Sequence, residues 1–588
     1  MTMMDSLKWL TVYEMLLCAL NAALLVWYAL PVARRYRWID FMPGMGVVIA
    51  AVSALTGDTT LLAIAIDAVT AVLFLCTLRR LFKPGDGVAA PRRLIAGTIR
   101  AVFCVCGIGV IGVAIQSSGE LRYNPTSDWS HLGYAEAFVR LNDRFAVEYP
   151  FGEWKKIDWE AKRREYEPIF AQADQVNDRT LYYKTLREYL FSLRDGHVRI
   201  ANEKLYAGNP IFKAEVGGGF GLSTLQLDDG RVQVTLVLDD SPAGRSGIRL
   251  GAEILQWDGQ AAKDAYRQTT WTDSPNTNQN ETINRGRFMV RAEVGRKVEV
   301  EYRNPGAGQA VKTTLQAYDD QFATLKQTKA SIVRGAPPVE GKMLSNGYGY
   351  VKISSFLANT AEVPKAGLTS LFAGSSAPDP VDLLADCLQS FEAQHAKGVV
   401  IDLRDNPGGE DSIVTRMAGH LSKEKKLYGY ASYYNRNVKK FSINYGEKYV
   451  VQPSKPNYGG NIALLVNGRT ASSGEGLPLV LKGQPNVTIV GFTGTNGSFG
   501  VQTSPIQVVM PEGYIVESAD GRSLNRDHVI QGDGDYTGRG GAVPDVVVPL
   551  NEQTFREKYV EGLDVELRYA IEAMEGRVSS PAAAKSQS

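Results

Sequence analysis

The run Asn461 to Gly476, NIALLVNGRTASSGEG, constrains this chain more than any other stretch. Ile462 to Val466 has the length and branching of a buried strand. The run stops at Asn467-Gly468, and the small residues Thr470 to Gly474 lead into a helix. Ser472 and Ser473 sit on that tight turn, beside backbone N–H groups that the first turn of a helix leaves unpaired. Two readings stay open on this local evidence. One is a helix cap, where serine and threonine are preferred; the other is a nucleophile held at the start of a helix.

The surroundings narrow the fold. From Tyr348 onward strands and helices alternate. Val399 to Leu403 reads as a buried strand that runs into Arg404-Asp405-Asn406-Pro407-Gly408-Gly409-Glu410 and then a helix over Ile413 to Leu421. The serine turn follows the next strand and leads into a helix reaching Leu481. Pro478 interrupts that helix pattern, since proline removes a backbone donor. A further strand, Val487 to Gly491, enters a glycine-rich loop to Gly500. Such alternation predicts an α/β core with its active loops at the carboxyl ends of the strands.

Upstream, Gly133 to Leu193 repeats apolar residues at spacings of three and four (Tyr134, Phe138, Leu141; Tyr166, Ile169, Phe170; Tyr182, Leu186, Leu190), the helical period. This unit ends at Asp195-Gly196-His197, where Asp-Gly is a turn signal and Asp195 reads as a turn residue. A glycine-rich segment, Gly217 to Leu222, comes next but lacks the lysine and the register of phosphate-binding loops. With Val232 to Val237, Ser241-Pro242-Ala243-Gly244, Ile254 to Gly259 and Lys297 to Tyr302 behind it, the order resembles a PDZ domain. The resemblance implies that Gly219, Phe220, Gly221 and Leu222 receive a peptide's terminal carboxylate. An exposed strand edge would add the peptide as another strand. Ala252 stands where that motif usually has an aspartate.

At 588 residues the chain is too long for one core. A net charge of +1 with no long basic tract excludes a nucleic-acid-binding role. Residues 1–117 are richer in apolar side chains, and four segments there suit a lipid bilayer: Leu7 to Leu30, Phe41 to Thr56, Thr59 to Thr77 and Ile95 to Ile115. Arg34, Arg35 and Arg37 follow the first, and Arg79, Arg80, Lys83, Arg92 and Arg93 precede the last. Four crossings place both basic loops in the cytoplasm and everything after residue 118 outside it. Cys387 is alone beyond the membrane region and reads as core, and no Cys/His spacing suits a metal.

Taken together, the motifs resemble the carboxyl-terminal processing peptidases and the tricorn-type core peptidases, one superfamily of serine peptidases. The shared order is a helical unit ending in Asp-Gly-His, a PDZ module, Asp-Leu-Arg-Asp-Asn-Pro-Gly-Gly, Thr-Ala-Ser-Ser-Gly-Glu and a late Pro-Asp-Val strand over Val543 to Val548. The resemblance makes Ser472 the nucleophile, three residues before Glu475, with Ser473 as its competitor. It makes the N–H of Ser473 and of Gly408 or Gly409 the oxyanion donors. The lysine-type members carry a lysine four residues before a glutamine; here Gln502 matches and Ser498 stands at the lysine position. Lys482 is too far along the helix to replace it. Tricorn-type members use a histidine just before the PDZ module, which implies His197 as general base, a role imidazole suits at neutral pH. The acceptor that orients it falls in the segment holding Asp533 and Asp535, with Ser498 close by and His528 in reserve.

The expected fold class is α/β. Transmembrane helices occupy 1–117, a helical unit 118–205, a PDZ-like β domain 206–318, an α/β serine-peptidase core 319–575 and a disordered tail 576–588. The expected function is a membrane-anchored serine endopeptidase acting on protein or peptide carboxyl termini, extracytoplasmic, without metal or cofactor. The competing readings are a catalytically inactive peptide-binding scaffold, which the missing lysine favours, and a membrane sensor.

Overall fold

The computed structural model describes residues 127–329, 337–357, 379–435 and 439–578. The four expected membrane segments and the end of the polar tail lie outside these residues. Among the described residues no helix is long and apolar enough to cross a membrane. Helices α1 (Tyr134–Glu148), α2 (Trp159–Val176) and α3 (Arg179–Phe191) form where the periodicity predicts them. The side chains of Asp158 and Asp178 accept from the first-turn N–H groups of α2 and α3 and set where those helices begin. Their apolar faces enclose an aromatic core in which Phe138 stacks on Phe170 at 4.5 Å and meets Tyr189 edge-on at 5.0 Å. The same cluster takes in Val508, Met510 and Val516 from far along the chain. Behind α3, Arg199 and Ile200 pair antiparallel with Glu517 and Val516, which anchors the Asp195-Gly196-His197 turn to the later sequence.

The stretch expected to form a PDZ-like domain holds an antiparallel sheet built from β1 (Leu222–Gln226), β2 (Val232–Val237), β3 (Glu253–Trp257), β4 (Lys297–Arg303) and β5 (Val311–Gln316), in the order β5-β4-β3-β2-β1. Helices α4 (Ala262–Arg267) and α5 (Glu281–Phe288) accompany it. Phe220 is fully buried against Trp257, and the Gly221 carbonyl accepts from Leu238 N, so the glycine-rich loop is built into the unit. The edge of β1, expected to be open to a peptide, is covered. The Thr224 hydroxyl donates to the Gly286 carbonyl at 2.8 Å. A Cβ on Gly286 would stand 2.0 Å from the Thr224 carbonyl oxygen, so only glycine lets α5 approach this closely. No strand can enter between α5 and β1 in this arrangement.

The core sheet has the order β6-β7-β8-β9-β10-β11, made of Val339–Met343, Gly349–Ile353, Val399–Asp402, Ile462–Leu465, Val487–Gly491 and Val546–Val547. β6 runs antiparallel and the remaining neighbours are parallel, with Val399 opposite Ile462 and Ile462 opposite Val487. Parallel strands covered on both faces read as unbroken apolar runs, which is why VVIDL and IALLV lack alternation. Ile401, Leu403, Ile462, Leu464 and Val466 face helices α7 (Asp411–Gly419) and α8 (Ser473–Leu481), which follow α6 (Pro380–Ala393). Val400, Ala463 and Leu465 face α9 (Val565–Met574). Arg404 ties the end of β8 to α9 by bonding Asp402 at 2.7 Å and Asp564 at 2.7 Å. Pro478 lies inside α8 and the helix continues to Leu481, while the expected late strand shrinks to Val546–Val547.

Candidate active site

β8 and β9 lie side by side and parallel, so the loops that leave them, Arg404 to Glu410 and Asn467 to Ser472, emerge together. Asn406, fully buried, joins them. Its side chain donates to the Ile353 carbonyl at 3.0 Å and accepts from Gly408 N at 2.8 Å, and its carbonyl accepts from Ala471 N at 2.9 Å. Between β9 and α8, Ser472 adopts φ 52° and ψ −136°, a region few side chains enter, at a cost of roughly 1–3 kcal/mol. The strain turns the chain sharply from strand to helix and leaves the Ser472 hydroxyl without a hydrogen bond, on the wall of a cleft of about 630 Å³.

The N–H of Ser473, first in α8, has no partner in its helix, and Gly409 N–H makes no hydrogen bond. These two groups are free to receive an oxyanion. Gly408 is not, because its N–H is already bonded to Asn406; of the two glycines expected in this role, only Gly409 keeps a free donor. Gly408 instead provides room: at φ +105°, a Cβ there would sit 2.7 Å from Ser472 Cβ and 2.9 Å from Ser473 N. Gly408→Ala is therefore expected to displace the serine turn and lower kcat by about 100-fold or more, measured alongside the melting temperature to separate misplacement from unfolding. The Ser473 hydroxyl is committed, donating toward the Gly409 carbonyl at 2.9 Å and Asp411 Oδ1 at 2.7 Å.

His197, Ser498 and Gln502 line the same cleft, opposite Pro407, Gly409 and Ser472. The Asp195-Gly196-His197 turn is thus brought to the serine from the helical unit. Ser498 forms a link between the two: its carbonyl accepts from Ser472 N at 2.9 Å, and its hydroxyl accepts from Gly196 N at 2.9 Å. Among the described residues no lysine lines the cleft, and Lys482 donates to the Val543 carbonyl at 2.7 Å at the far end of α8. Gln502 is exposed in the cleft wall and makes no hydrogen bond.

Neither of the two expected acceptors is bonded to the His197 imidazole. Asp535 is half-buried and closes its own turn by accepting from Thr537 N, the Thr537 hydroxyl and Arg539 N. Asp533 is buried and accepts from Phe499 N at 2.9 Å. His528 stacks edge-on against Tyr430, away from the cleft. Asp195, read from sequence as a turn residue, is the carboxylate nearest the imidazole, with Oδ1 3.6 Å from His197 Nδ1.

Sequence reasoning also left Glu475 as a spacing marker only. It is fully buried and accepts from the Thr495 hydroxyl at 2.6 Å, Gly497 N at 2.9 Å and Ser498 N at 2.8 Å, so it fixes the 495–498 loop to α8. Burial pushes its carboxyl up to about 7, against the hydrogen bonds that favour the charged form. A folded-state value above the ordinary one means that the proton binds more tightly in the folded chain. The stability it brings is complete below about 4.5 and is lost as pH rises through about 7, a decline of about 3 kcal/mol. Denaturant titrations from pH 5 to 8 should show this fall in the parent chain, and Glu475→Gln should flatten it.

Residues 347–548 match peptidase family S41. The carboxy-terminal processing protease CtpA of Bacillus subtilis is 26% identical over 280 residues, covering 47% of this chain and 46% of that protein. The carboxy-terminal-processing protease of Bartonella bacilliformis is 25% identical over 400 residues, 66% of this chain and 74% of that protein. The chain thus spans about half the length of the Bacillus relative. Among solved structures, mature CPAF complexed with lactacystin is similar in fold, with a TM-score of 0.52 at 15% identity over 76% of this chain and 99% of that one. The match to peptidase family S41, a family of serine-type hydrolases, spans residues 347–548, the stretch that holds the serine turn and the Gly408-Gly409 loop beside it.

Proposed function

We propose that the chain is a membrane-anchored endopeptidase that cleaves proteins near their carboxyl termini, with Ser472 as nucleophile and His197 as general base. The observation that carries this reading is the unbonded Ser472 hydroxyl on a strained strand-to-helix turn, in one cleft with His197 and two unpaired backbone donors. As Ser472 Oγ bonds to the scissile carbonyl carbon, its proton passes to the imidazole. The carbonyl oxygen takes up the negative charge against Ser473 N–H and Gly409 N–H. Donors already in place need no rearrangement as charge develops, and each is worth about 10²- to 10³-fold in rate. The proton then goes to the departing amine as the C–N bond breaks, and water releases the acyl group by the same steps in reverse order.

The Gly219 to Leu222 loop supports recognition of a terminal carboxylate by the PDZ-like unit. A peptide adding to β1 has to displace α5 from Thr224, so occupancy and opening of this edge are one event. Anchoring rests on the four apolar segments before residue 118 and on the basic loops between them, which put the peptidase outside the cytoplasm. A second reading, a scaffold without catalysis, draws on Ser498 at the lysine position and on the lack of a hydrogen bond between Ser472 and His197. Catalytic hydrogen bonds are often long before substrate binds, which removes much of the force of that second point. Incubating the full chain in detergent with a fluorophosphonate decides between the two. Covalent labelling on Ser472 is expected, and its absence with carboxyl-terminal peptide present would favour the scaffold.

A further inference from the structure

The motifs supply a nucleophile, a base and oxyanion donors, and they point to Asp533 or Asp535 as the group that orients the base; neither is bonded to the imidazole. Two carboxylates are buried near His197, and the chemistry of their surroundings separates them. Asp195 is completely buried. Its Oδ1 accepts from His197 N at 2.9 Å and stands 3.6 Å from His197 Nδ1. Its Oδ2 accepts from the Tyr149 hydroxyl at 2.7 Å. His197 Nδ1 is itself buried and has no hydrogen-bond partner. A distance of 3.6 Å lies within reach of an ion pair and outside a hydrogen bond, so a small rotation of the ring completes the contact.

Asp533 is placed differently. One of its oxygens accepts from Phe499 N, and the other is buried without a partner. Burial, followed by the charge on Asp195, pushes the Asp533 carboxyl well above the usual range. Burial also opposes ionisation of Asp195, but the Lys155 ammonium and His197 outweigh it and hold that carboxyl below the usual range. Lys155 is fixed by donating to the carbonyls of Leu193 at 3.0 Å and Arg194 at 2.9 Å, the two residues that precede Asp195. Of the two carboxyls, ionisation is therefore favoured on Asp195, the one that faces the imidazole.

We propose that Asp195 is the positioning residue that orients His197, held in place by the Tyr149 hydroxyl and the Lys155 ammonium. This rests on the reading of Ser472 and His197 as nucleophile and base. Asp195 accepts from the Nδ1–H, which fixes the tautomer whose Nε2 has the free electron pair. When the Ser472 proton moves to Nε2 and the Oγ–C bond forms, the imidazolium gains a fixed counter-charge. Asp195 remains a carboxylate throughout, and the proton leaves from Nε2 to the amine. The charged groups around the ring are then Asp195, Lys155 and Asp533 on its buried side, with Arg199 in the cleft wall, where it is paired with Glu517 at 2.8 Å.

The test is the second-order rate of fluorophosphonate inactivation of the full chain as a function of pH, in the parent and in Asp195→Asn, Asp533→Asn and Tyr149→Phe. Asp195→Asn is expected to slow the reaction by about 100-fold or more. It should also move the acid limb to lower pH, because the imidazolium loses its counter-charge. Asp533→Asn should leave that limb in place. Tyr149→Phe keeps the charge but frees Asp195 of one donor, so the limb should move to higher pH; this reading survives even if Asp195→Asn does not fold. A slower rate in Asp195→Asn with an unmoved limb would mark Asp195 as merely structural, and so would an unmoved limb in Tyr149→Phe. A limb that moves in Asp533→Asn alone would transfer the role to Asp533. If the parent is not labelled at all, the reading of the site falls and this proposal falls with it. If labelling on Ser472 is normal and only the Asp195 variants behave like the parent, the proposal alone is lost.

Discussion

Ser472→Ala is expected to abolish fluorophosphonate labelling of the full chain and to lower peptide hydrolysis by about four to six orders of magnitude. Two hydroxyls are adjacent at this turn, and their surroundings differ. The Ser473 hydroxyl is tied to the Gly409 carbonyl and to Asp411, so attack from it would first have to break those contacts. Ser472 Oγ makes no bond that must be broken, and its turn already points it into the cleft at the cost of a strained backbone. Alanine at 472 removes the nucleophile and leaves the donors at Ser473 N and Gly409 N, so a small residual rate over water should remain. Ser473→Ala should keep labelling. Parent-like labelling of Ser472→Ala together with its loss in Ser473→Ala would exchange the two roles.

The core was legible because its signals are local. A buried parallel strand is an unbroken apolar run, and IALL in β9 and VVID in β8 announced themselves without any partner in view. The serine turn was legible too, since small residues between a strand and a helix have few other uses. What escaped were contacts between residues far apart in the chain. Nothing in the sequence near Tyr149 says that its hydroxyl meets Asp195, and Asp195 read as a turn because Asp-Gly is a turn signal in any context. The expectation for Asp535 failed for a related reason: an aspartate that opens a turn, here Asp535-Tyr536-Thr537-Gly538, bonds its own backbone before it reaches anything distant. Gly408 and Gly409 look alike in sequence, and only the Asn406 side chain, folded back on Gly408 N, separates a donor from a spacer. The open edge of β1 was expected from the resemblance of this segment to a PDZ domain, while the residue that closes it, Gly286, lies on a helix whose pattern gives no sign of what it faces.

His197→Ala is expected to lower the rate of acylation by about 10⁴-fold at neutral pH, with little change in the melting temperature. The imidazole makes no hydrogen bond of ordinary length and caps no other group, so its removal leaves no new orphan except the Asp195 carboxylate, which keeps Tyr149 and the His197 backbone N–H position. Among the described residues neither a lysine nor a second histidine lines the cleft, Ser498 cannot accept a proton at neutral pH, and its hydroxyl is occupied by Gly196 N. With no group in the enzyme to take the Ser472 proton, the reaction must draw on hydroxide from solution. The logarithm of the residual rate should then climb with unit slope in pH, where the parent levels off once its base is deprotonated. That change of shape distinguishes loss of a base from loss of packing, which would scale the profile without altering it. A His197→Ala chain that keeps both the parent's rate and its plateau would mean that the Ser472 proton leaves by another route, and the arginines and carboxylates of the cleft wall, Arg199, Arg469, Glu410 and Asp411, would become the groups to substitute next.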